Sequence, residues 1–479
     1  ITTRLVGSEM CIRDRCNGAS SKDIFNMFLF ETAALFVVAL VCMALLLFAF
    51  REYVADMVAV PTLGTLLNAQ TIWLPAIMIL AIFILSALLP ARLFSVIPVT
   101  QVFRVSTSGK QGWKRSLLFI QFGGIAFVIT LLVIVLLQYD RLMNNDLGYD
   151  PENIVYAPLN NMDDQKAAKL TAEFKKLPYV TATGLSSMDI LSGYGGFPIL
   201  DNEKNWLFTA RQVNYDADYL SLMKIPLLEG QPLKGDGDIL VNESFVSKRG
   251  WTDAAIGKYI YDDEGNLKGK IVGVTRDFMV NSFFTPQLPV IMFGSDRMSY
   301  CNFTVRVSEL TPEYLREMND KIAELFPNED VGFTVLKTII ESQYEGTRHF
   351  RDGVFVASIA ILLITLMGLL GYITDEMHRR SKEIAIRKVN GATAPNILRL
   401  LSKDVLITAF PAILLGVIAS RVVGESWLRQ FADKIPLTVF IFISTALLVL
   451  AIIWGCVILK SWNIANENPV RSITVSYTH

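Results

Sequence analysis

The chain is short of the residues that most catalytic and metal chemistry requires. No GxxxxGK[ST] motif occurs, so the chain cannot hold ATP through a P-loop of its own. Only three histidines are present. His349 and His378 flank one apolar run and His479 is the last residue, so no histidine-based metal cluster or triad can form from them. Carboxylates are scattered, with no pair that stands out for acid–base work. The five cysteines (Cys11, Cys16, Cys42, Cys301 and Cys456) make no disulfide framework. Cys42 and Cys456 fall in apolar runs, and Cys301 is expected to be a buried apolar residue. No secretory signal peptide is visible. Charge is scarce too, at 19% Asp, Glu, Lys and Arg, with a formal net charge of −1. These absences exclude an enzyme that works alone, and nothing in the sequence suggests a nucleic-acid partner.

What is abundant is apolar residues, 52% of the chain, with a mean hydropathy of +0.41, far above a soluble domain. Six runs are long enough to cross about 30 Å of hydrocarbon: 28–50, 72–90, 116–138, 353–373, 404–424 and 437–460. The long block between the third and fourth has ordinary polar composition and domain length. Lys and Arg crowd two loops: Arg92, Arg104, Lys110, Lys114 and Arg115 in the first, and Arg379, Arg380, Lys382, Arg387, Lys388, Arg399 and Lys403 in the second. Both are therefore expected to face the cytoplasm. The 139–350 block then lies outside, as do the short links 51–71 and 425–436. The expectation is a multi-pass membrane protein with its large domain on the side away from the cytoplasm.

One unit occurs twice. At an offset of 373, NGASSKDIFNMFLFETA (17–33) and NGATAPNILRLLSKDVL (390–406) agree at Asn17/Asn390, Gly18/Gly391, Ala19/Ala392 and Ile24/Ile397, with Ser20 against Thr393 and Glu31 against Asp404. Each copy continues into two spans and a Pro-Val, Pro98-Val99 and Pro469-Val470. Such an order is not readily supplied by chance, and duplicated membrane units usually pack about a pseudo-twofold axis. The head ITTRLVGSEMCIRDR and the tail VSYTH follow no structural logic and resemble translated sequencing-adapter read-through. Residues 1–15 and 475–479 are expected to be foreign, and the natural chain to extend further upstream.

The loop 374–403 carries helix formers with Ile384, Ile386 and Val389 among charges. Asn390-Gly391 then predicts a stop in a left-handed conformation. Thr393 suits an N-cap, and Pro395 is tolerated in the first turn of a helix that runs into the next span. Composition alone also fits a basic loop on lipid headgroups. Lipid contact, however, does not need an Asn-Gly-Ala corner in both copies, whereas a short rigid lever docking into a partner protein does.

The stretch RRSKEIAIRKVNGATAPNIL resembles the signature of MacB/FtsX-type ABC transporter permeases. LVNESFVSKRGW (240–251), AIGKYI (255–260) and KIVGVTRDFMVNSFFTPQLPVIMF (270–293) are similar to the periplasmic core domain of that family. The fold class implied is a polytopic α-helical membrane protein with about six transmembrane helices and one α+β extracytoplasmic domain of MacB periplasmic-core type. In this layout 16–105 is the C-terminal part of a first permease half, 116–138 a span and 139–350 the outer domain. A further span follows at 353–373, then the coupling loop at 374–403 and the last two spans within 404–473. The resemblance is to fused permeases in which one chain supplies both halves.

The resemblance implies a permease that converts ATP hydrolysis by a separate cytoplasmic ABC ATPase dimer into movement of the periplasmic domain, for export of drugs, peptides or lipoproteins. ATP and Mg²⁺ would be held by that partner, with no cofactor in this chain. The coupling residues implied are Glu383, Ile384, Arg387, Lys388, Val389, Asn390, Gly391 and Ala392, with Asn17, Gly18 and Ala19 as the remnant of a second joint. Ile384 and Val389 would offer an apolar contact and Glu383, Arg387 and Lys388 their charges. Further partners implied are a periplasmic adaptor, an outer-membrane component and membrane lipid. The alternatives are a regulator of cell-wall hydrolases and a membrane sensor with a periplasmic ligand-binding domain.

Within the outer block, NIVYAPL, VGFTVLK and KIVGVT read as strands, and DQKAAKLTAEFKKL and PEYLREMNDKIAELF as helices. GYGGFP (193–198) reads as a flexible turn. LLQYDRLMNND and LKTIIESQYEGTRHFRDG are expected to form a helical stalk that moves with the spans. Glu31 and Asp404 lie near cytoplasmic span ends, where Lys22, Arg399 or Lys403 can pair with them, so they read as ion-paired groups rather than proton carriers. Arg421 is expected to snorkel.

Overall fold

The structure is a computed structural model. It describes residues 20–57, 72–88, 91–92, 112–160, 163–191, 195–201, 203–251, 254–280, 284–294, 300–327, 329–380, 383–384, 386–387 and 390–465. The termini 1–15 and 475–479, the corner Asn17, Gly18 and Ala19, Lys388, Val389, most of the basic loop before residue 112, and both Pro-Val pairs lie outside the described residues. Two compact units are present: residues Ile1–Leu137 with Gly346–Glu425 and Pro436–His479, and residues Gln138–Glu345 with Ser426–Ile435.

The first unit is helical. Its described elements are α1 (Ser21–Ala49), α2 (Arg51–Met57), α3 (Trp73–Phe83, continued as a π turn over Ile84–Leu88), α4 (Gly112–Asn144, shared with the second unit), α10 (Glu345–Arg379), α11 (Ala394–Leu428) and α12 (Val439–Ala465). Five helices among the described residues are long and apolar enough to cross a membrane: Ser21–Ala49, Arg115–Asn144, Glu345–Met377, Leu398–Leu428 and Val439–Lys460. The sixth expected span is shorter, Trp73–Leu88, about 24 Å of helix at 1.5 Å per residue.

Lipid provides little hydrophobic drive for helices to associate, so close packing must hold them together. Here α4 and α11 approach backbone to backbone. A Cβ built on Gly416 would lie 2.3 Å from the Gly123 carbonyl oxygen and 3.0 Å from Ala126. Around this contact Phe122, Ile125, Ala126, Ala409, Ala412 and Ile413 are buried. Thr130 donates to Thr445 across α4 and α12 at 3.1 Å, which satisfies two buried hydroxyls that lipid could not. The pair α1 and α3 meets through Phe36 and Phe83, with ring centroids 5.3 Å apart.

The repeat is visible in the helix starts. Ser20 caps α1 in a reciprocal box: the Asp23 amide donates to its hydroxyl at 3.3 Å and its own amide donates to the Asp23 carboxylate at 2.8 Å. α11 begins at Ala394, directly after Thr393, so the aligned hydroxyl residues stand at the same place before each helix.

The second unit is α+β. Its elements are β1 (Ile154–Asn160), α5 (Asp164–Lys175), β2 (Val180–Ser186), β3 (Gly195–Leu200), β4 (Trp206–Tyr215), α6 (Tyr219–Met223), β5 (Leu227–Gly230), β6 (Asp238–Asn242), α7 (Glu243–Arg249), β7 (Tyr259–Tyr261), β8 (Leu267–Thr275), β9 (Val290–Gly294), β10 (Tyr300–Val307), α8 (Pro312–Leu325), β11 (Thr334–Val335) and α9 (Leu336–Ser342). The strand order is β11-β1-β10-β2-β4-β9-β6-β8-β5, with β3 on β4 and β7 on β8. β4 runs parallel to β9, and β6 parallel to β8.

This sheet is two sheets joined by a thread. β2 meets β4 at a single pair, Ser186 and Tyr215, and each side has its own core. On one side Phe174 of α5, Phe303 of β10, and Met318 and Ile322 of α8 pack together. On the other, Phe197, Phe208, Ile239, Phe245, Ile271 and Ile291 do so. Two sequence expectations change here. Gly195 to Pro198 are not a turn but part of β3, paired in register with Gln212 to Thr209; residues 193 and 194 lie outside the described residues. Only Thr334 and Val335 of VGFTVLK are strand, because Leu336 already opens α9. Cys301 is buried in β10 as expected, and burial pushes its thiol up to about 12.

The thread between the two sheets includes a titrating group. The Leu185 amide donates to the Asp216 carboxylate at 2.7 Å, and the Asp216 amide donates to the Leu185 carbonyl at 3.0 Å. Burial raises the Asp216 carboxyl to about 6, opposed by the Leu185 hydrogen bond and helped by nearby Asp218. A carboxyl with a raised folded pKa binds more protons folded than unfolded between its two pKa values. Its contribution to stability is therefore present at low pH and lost as pH rises from about 4 to 6. Thermal scans of the purified chain should show the outer domain melting lower at pH 7 than at pH 5 from this group, and Asp216→Asn should flatten that slope. Gly416→Val should lower the melting temperature of the membrane helices by the equivalent of about 1–3 kcal/mol, the usual cost of overpacking, as read by the same scans.

Candidate functional site

The corner between α10 and α11 forms as the Asn-Gly pair predicts. Helical backbone continues through Glu383, Ile384, Ile386 and Arg387, with the Ile384 amide donating to the Arg380 carbonyl at 2.8 Å and the Asn390 amide to Ile386 at 3.0 Å. Gly391 then turns left-handed at φ +86°. The Ala392 amide reaches back to the Arg387 carbonyl at 2.9 Å, the closing bond of a glycine-terminated helix. A side chain at 391 would be strained there, which is why glycine stands at this position. α11 starts three residues later and runs without a break for 35 residues.

The presented surface differs from the expected one. Ile384 is only 8% exposed, whereas Ile386, 63% exposed, is the apolar side chain that faces outward. Arg387 donates to Glu383 at 2.7 Å one turn away, so these two charges meet each other on the exposed face. Asn390 and Gly391 are also exposed. Lys388 and Val389, and the equivalent corner at Asn17, Gly18 and Ala19, lie outside the described residues.

Behind the corner is a cluster that the sequence does not reveal. Glu376, 3% exposed near the end of α10, accepts from Arg379 at 2.6 Å and from Arg380. Arg380 also donates to Asp404 of α11, and Arg115 of α4 stands 3.6 Å from the same carboxylate. Asp404 is therefore held by residues from two other helices, not by Arg399, Lys403 or Lys22 as its sequence neighbourhood suggests. An arginine shared by two carboxylates fixes geometry because its planar fork admits few arrangements.

No group of three or more His, Cys, Asp or Glu that could hold a metal occurs among the described residues. His349 and His378 sit 29 residues apart on α10, about 44 Å at 1.5 Å per residue.

These features define a polytopic membrane protein with an extracytoplasmic α+β domain inserted between two of its long apolar helices. Residues 355–469 match the family model described as "FtsX-like permease C-terminal". That segment, which runs from within α10 through the corner and past the end of α12, is similar to the C-terminal part of an FtsX-like permease; the α+β domain lies outside the match. No curated protein matches the chain. Among solved structures, similarity is found to the periplasmic region of MacB from Actinobacillus actinomycetemcomitans (13% identity, 42% of this chain and 97% of that one, TM-score 0.31). It is also found to a domain of a putative permease from Porphyromonas gingivalis (14%, 39% and 90%, TM-score 0.29). A third is the extracellular domain of the noncanonic ABC-type transporter YknZ from Gram-positive bacteria (11%, 38% and 99%, TM-score 0.28).

The cluster and the exposed pair should respond differently to truncation. Glu376→Ala removes a buried acceptor from Arg380, which is 18% exposed and keeps Asp404, and from the half-exposed Arg379, and should destabilise by about 1–3 kcal/mol. Glu383→Ala removes an exposed pair worth ~1 kcal/mol at most. Melting temperatures of the two solubilised variants should separate accordingly.

Proposed function

We propose that the chain is the permease subunit of an ABC transporter in which a separate cytoplasmic ATPase drives movement of the extracytoplasmic domain. The observation that carries this reading is the corner at 383–392. It is a helical stub stopped by a left-handed glycine, lies inside the segment matching the FtsX-like model, and turns Ile386 and a Glu383–Arg387 pair outward. An exposed apolar side chain ringed by ordered charges suits a small docking surface on another protein.

In this mechanism the partner binds ATP and Mg²⁺, and its closure pushes on the corner. The push enters α10 and α11 together, since Arg380 ties Glu376 to Asp404. α10 leads back to the outer domain at Glu345, and α4 enters it through Asn144. The chain itself supplies a lever and no chemistry. Its setting is the inner membrane of a bacterium, with export of a drug, peptide or lipoprotein as the work done. A periplasmic adaptor, an outer-membrane component and lipid are the further partners that this work would engage.

The test is to co-express the chain with the ATPase encoded beside it and measure ATP hydrolysis in the purified complex. Wild type should stimulate hydrolysis. Gly391→Val, which forces a β-branched residue to positive φ, and the double variant Glu383→Ala, Arg387→Ala should each lose most of that stimulation without loss of membrane insertion. Absence of any complex, or full stimulation by both variants, would refute the coupling role.

A further inference from the structure

The short link between α11 and α12 belongs to the compact unit of the outer domain, although both of its flanks are membrane helices. Its attachment is specific. Gln138 is completely buried and uses both ends of its amide on the link's backbone, donating to the Asp433 carbonyl and accepting from the Ile435 amide, each at 2.9 Å. One turn further along α4, Arg141 grips the Asp433 carboxylate with two parallel bonds, Nε to Oδ2 at 2.9 Å and a terminal nitrogen to Oδ1 at 2.7 Å. Asn145 adds a third at 2.8 Å. On the link's other side Phe431 is buried, stacking on Phe284 at 5.1 Å and meeting Trp427 edge to face at 5.0 Å.

The sister repeat carries a lesser version. Its outer link also contains an Ala-Asp pair, Ala55-Asp56, four residues out of the 373 offset from Ala432-Asp433. Asp56 stands 3.4 Å from Arg348, near the start of α10. Each copy thus directs one aspartate of its outer link at an arginine of a helix flanking the outer domain.

We propose that the link 426–435 is a latch between the outer domain and the last two spans, with Asp433 and Gln138 as its positioning residues. Movement of α11 and α12 then reaches the outer domain through this link as well as through α4 and α10. A buried amide whose partners are both on the link holds it strongly, because release leaves Gln138 unsatisfied. The bidentate fork sets direction, since Arg141 and Asp433 must stay coplanar to keep both bonds. The role in transmission rests on the coupling reading above; the latch itself does not.

Hydrogen exchange on the full chain in complex with its neighbouring ATPase separates the two. In the nucleotide-free state, Asp433→Ala and Gln138→Leu should each speed exchange of amides in 426–435 about tenfold or more. The reversed pair Arg141→Asp, Asp433→Arg should restore protection that either single change removes. Exchange as slow as wild type in both single variants would overturn the latch. On trapping with ATP and vanadate, wild type should change exchange within 154–307, and the latch variants should show that change reduced by about half while ATP hydrolysis continues. A full response in the unlatched variants would overturn the transmitting role alone. A wild-type outer domain that does not respond to nucleotide would instead overturn the coupling reading.

Discussion

One arginine ties α10 to α11 behind the corner. Arg380 bridges Glu376, one turn back on α10, and Asp404, on α11 beyond the corner. A left-handed glycine gives the chain a sharp turn, but a turn alone is a hinge. The bridge behind it converts the hinge into a bracket, because it ties the end of α10 to the first turns of α11. The buried position of Glu376 makes the bracket costly to open, since separation would leave a carboxylate without partners in a poorly solvated place.

The same logic of few but well-satisfied polar contacts runs through the membrane unit. Lipid does not reward helices for associating, so α4 and α11 rely on a glycine-to-backbone approach at Gly416 and Gly123, and α4 and α12 on one threonine pair. In the outer unit water is available and the solution differs. Two apolar cores form on either side of a short junction made by Ser186 with Tyr215, Ser187 with Asn214, and the buried carboxyl of Asp216. The two sheets each have their own core and meet over a short junction.

Much of this was legible in the residues. Long apolar runs marked the spans, and the Asn-Gly pair marked the corner because few sequences tolerate positive φ. Thr393 marked where α11 begins, and the residue aligned with it, Ser20, caps α1. What failed to show were contacts set by tertiary approach. Ile384 and Ile386 are about 200° apart on a helix, so only one of them could face inward, and the sequence does not say which. Asp404 was assigned neighbours close in sequence, whereas its partners come from α4 and α10. Gly195 and Gly196 suggested a turn because glycine-rich runs usually do, but β4 offered a ladder and they joined it. Gln138 looked like an unremarkable end to an apolar run, and its importance depends on a link almost 300 residues away in the chain.

The central claim is that the corner is where another protein pushes. Placing a cysteine at Ile386, in a chain with its native cysteines replaced, lets its accessibility be followed with a water-soluble maleimide in membranes with and without the ATPase encoded beside it. Labelling should be fast on the chain alone and strongly suppressed when the ATPase is bound, while a cysteine in the exposed β3–β4 turn at Glu203 labels equally in both. Equal labelling of Ile386→Cys with the ATPase bound would contradict the account.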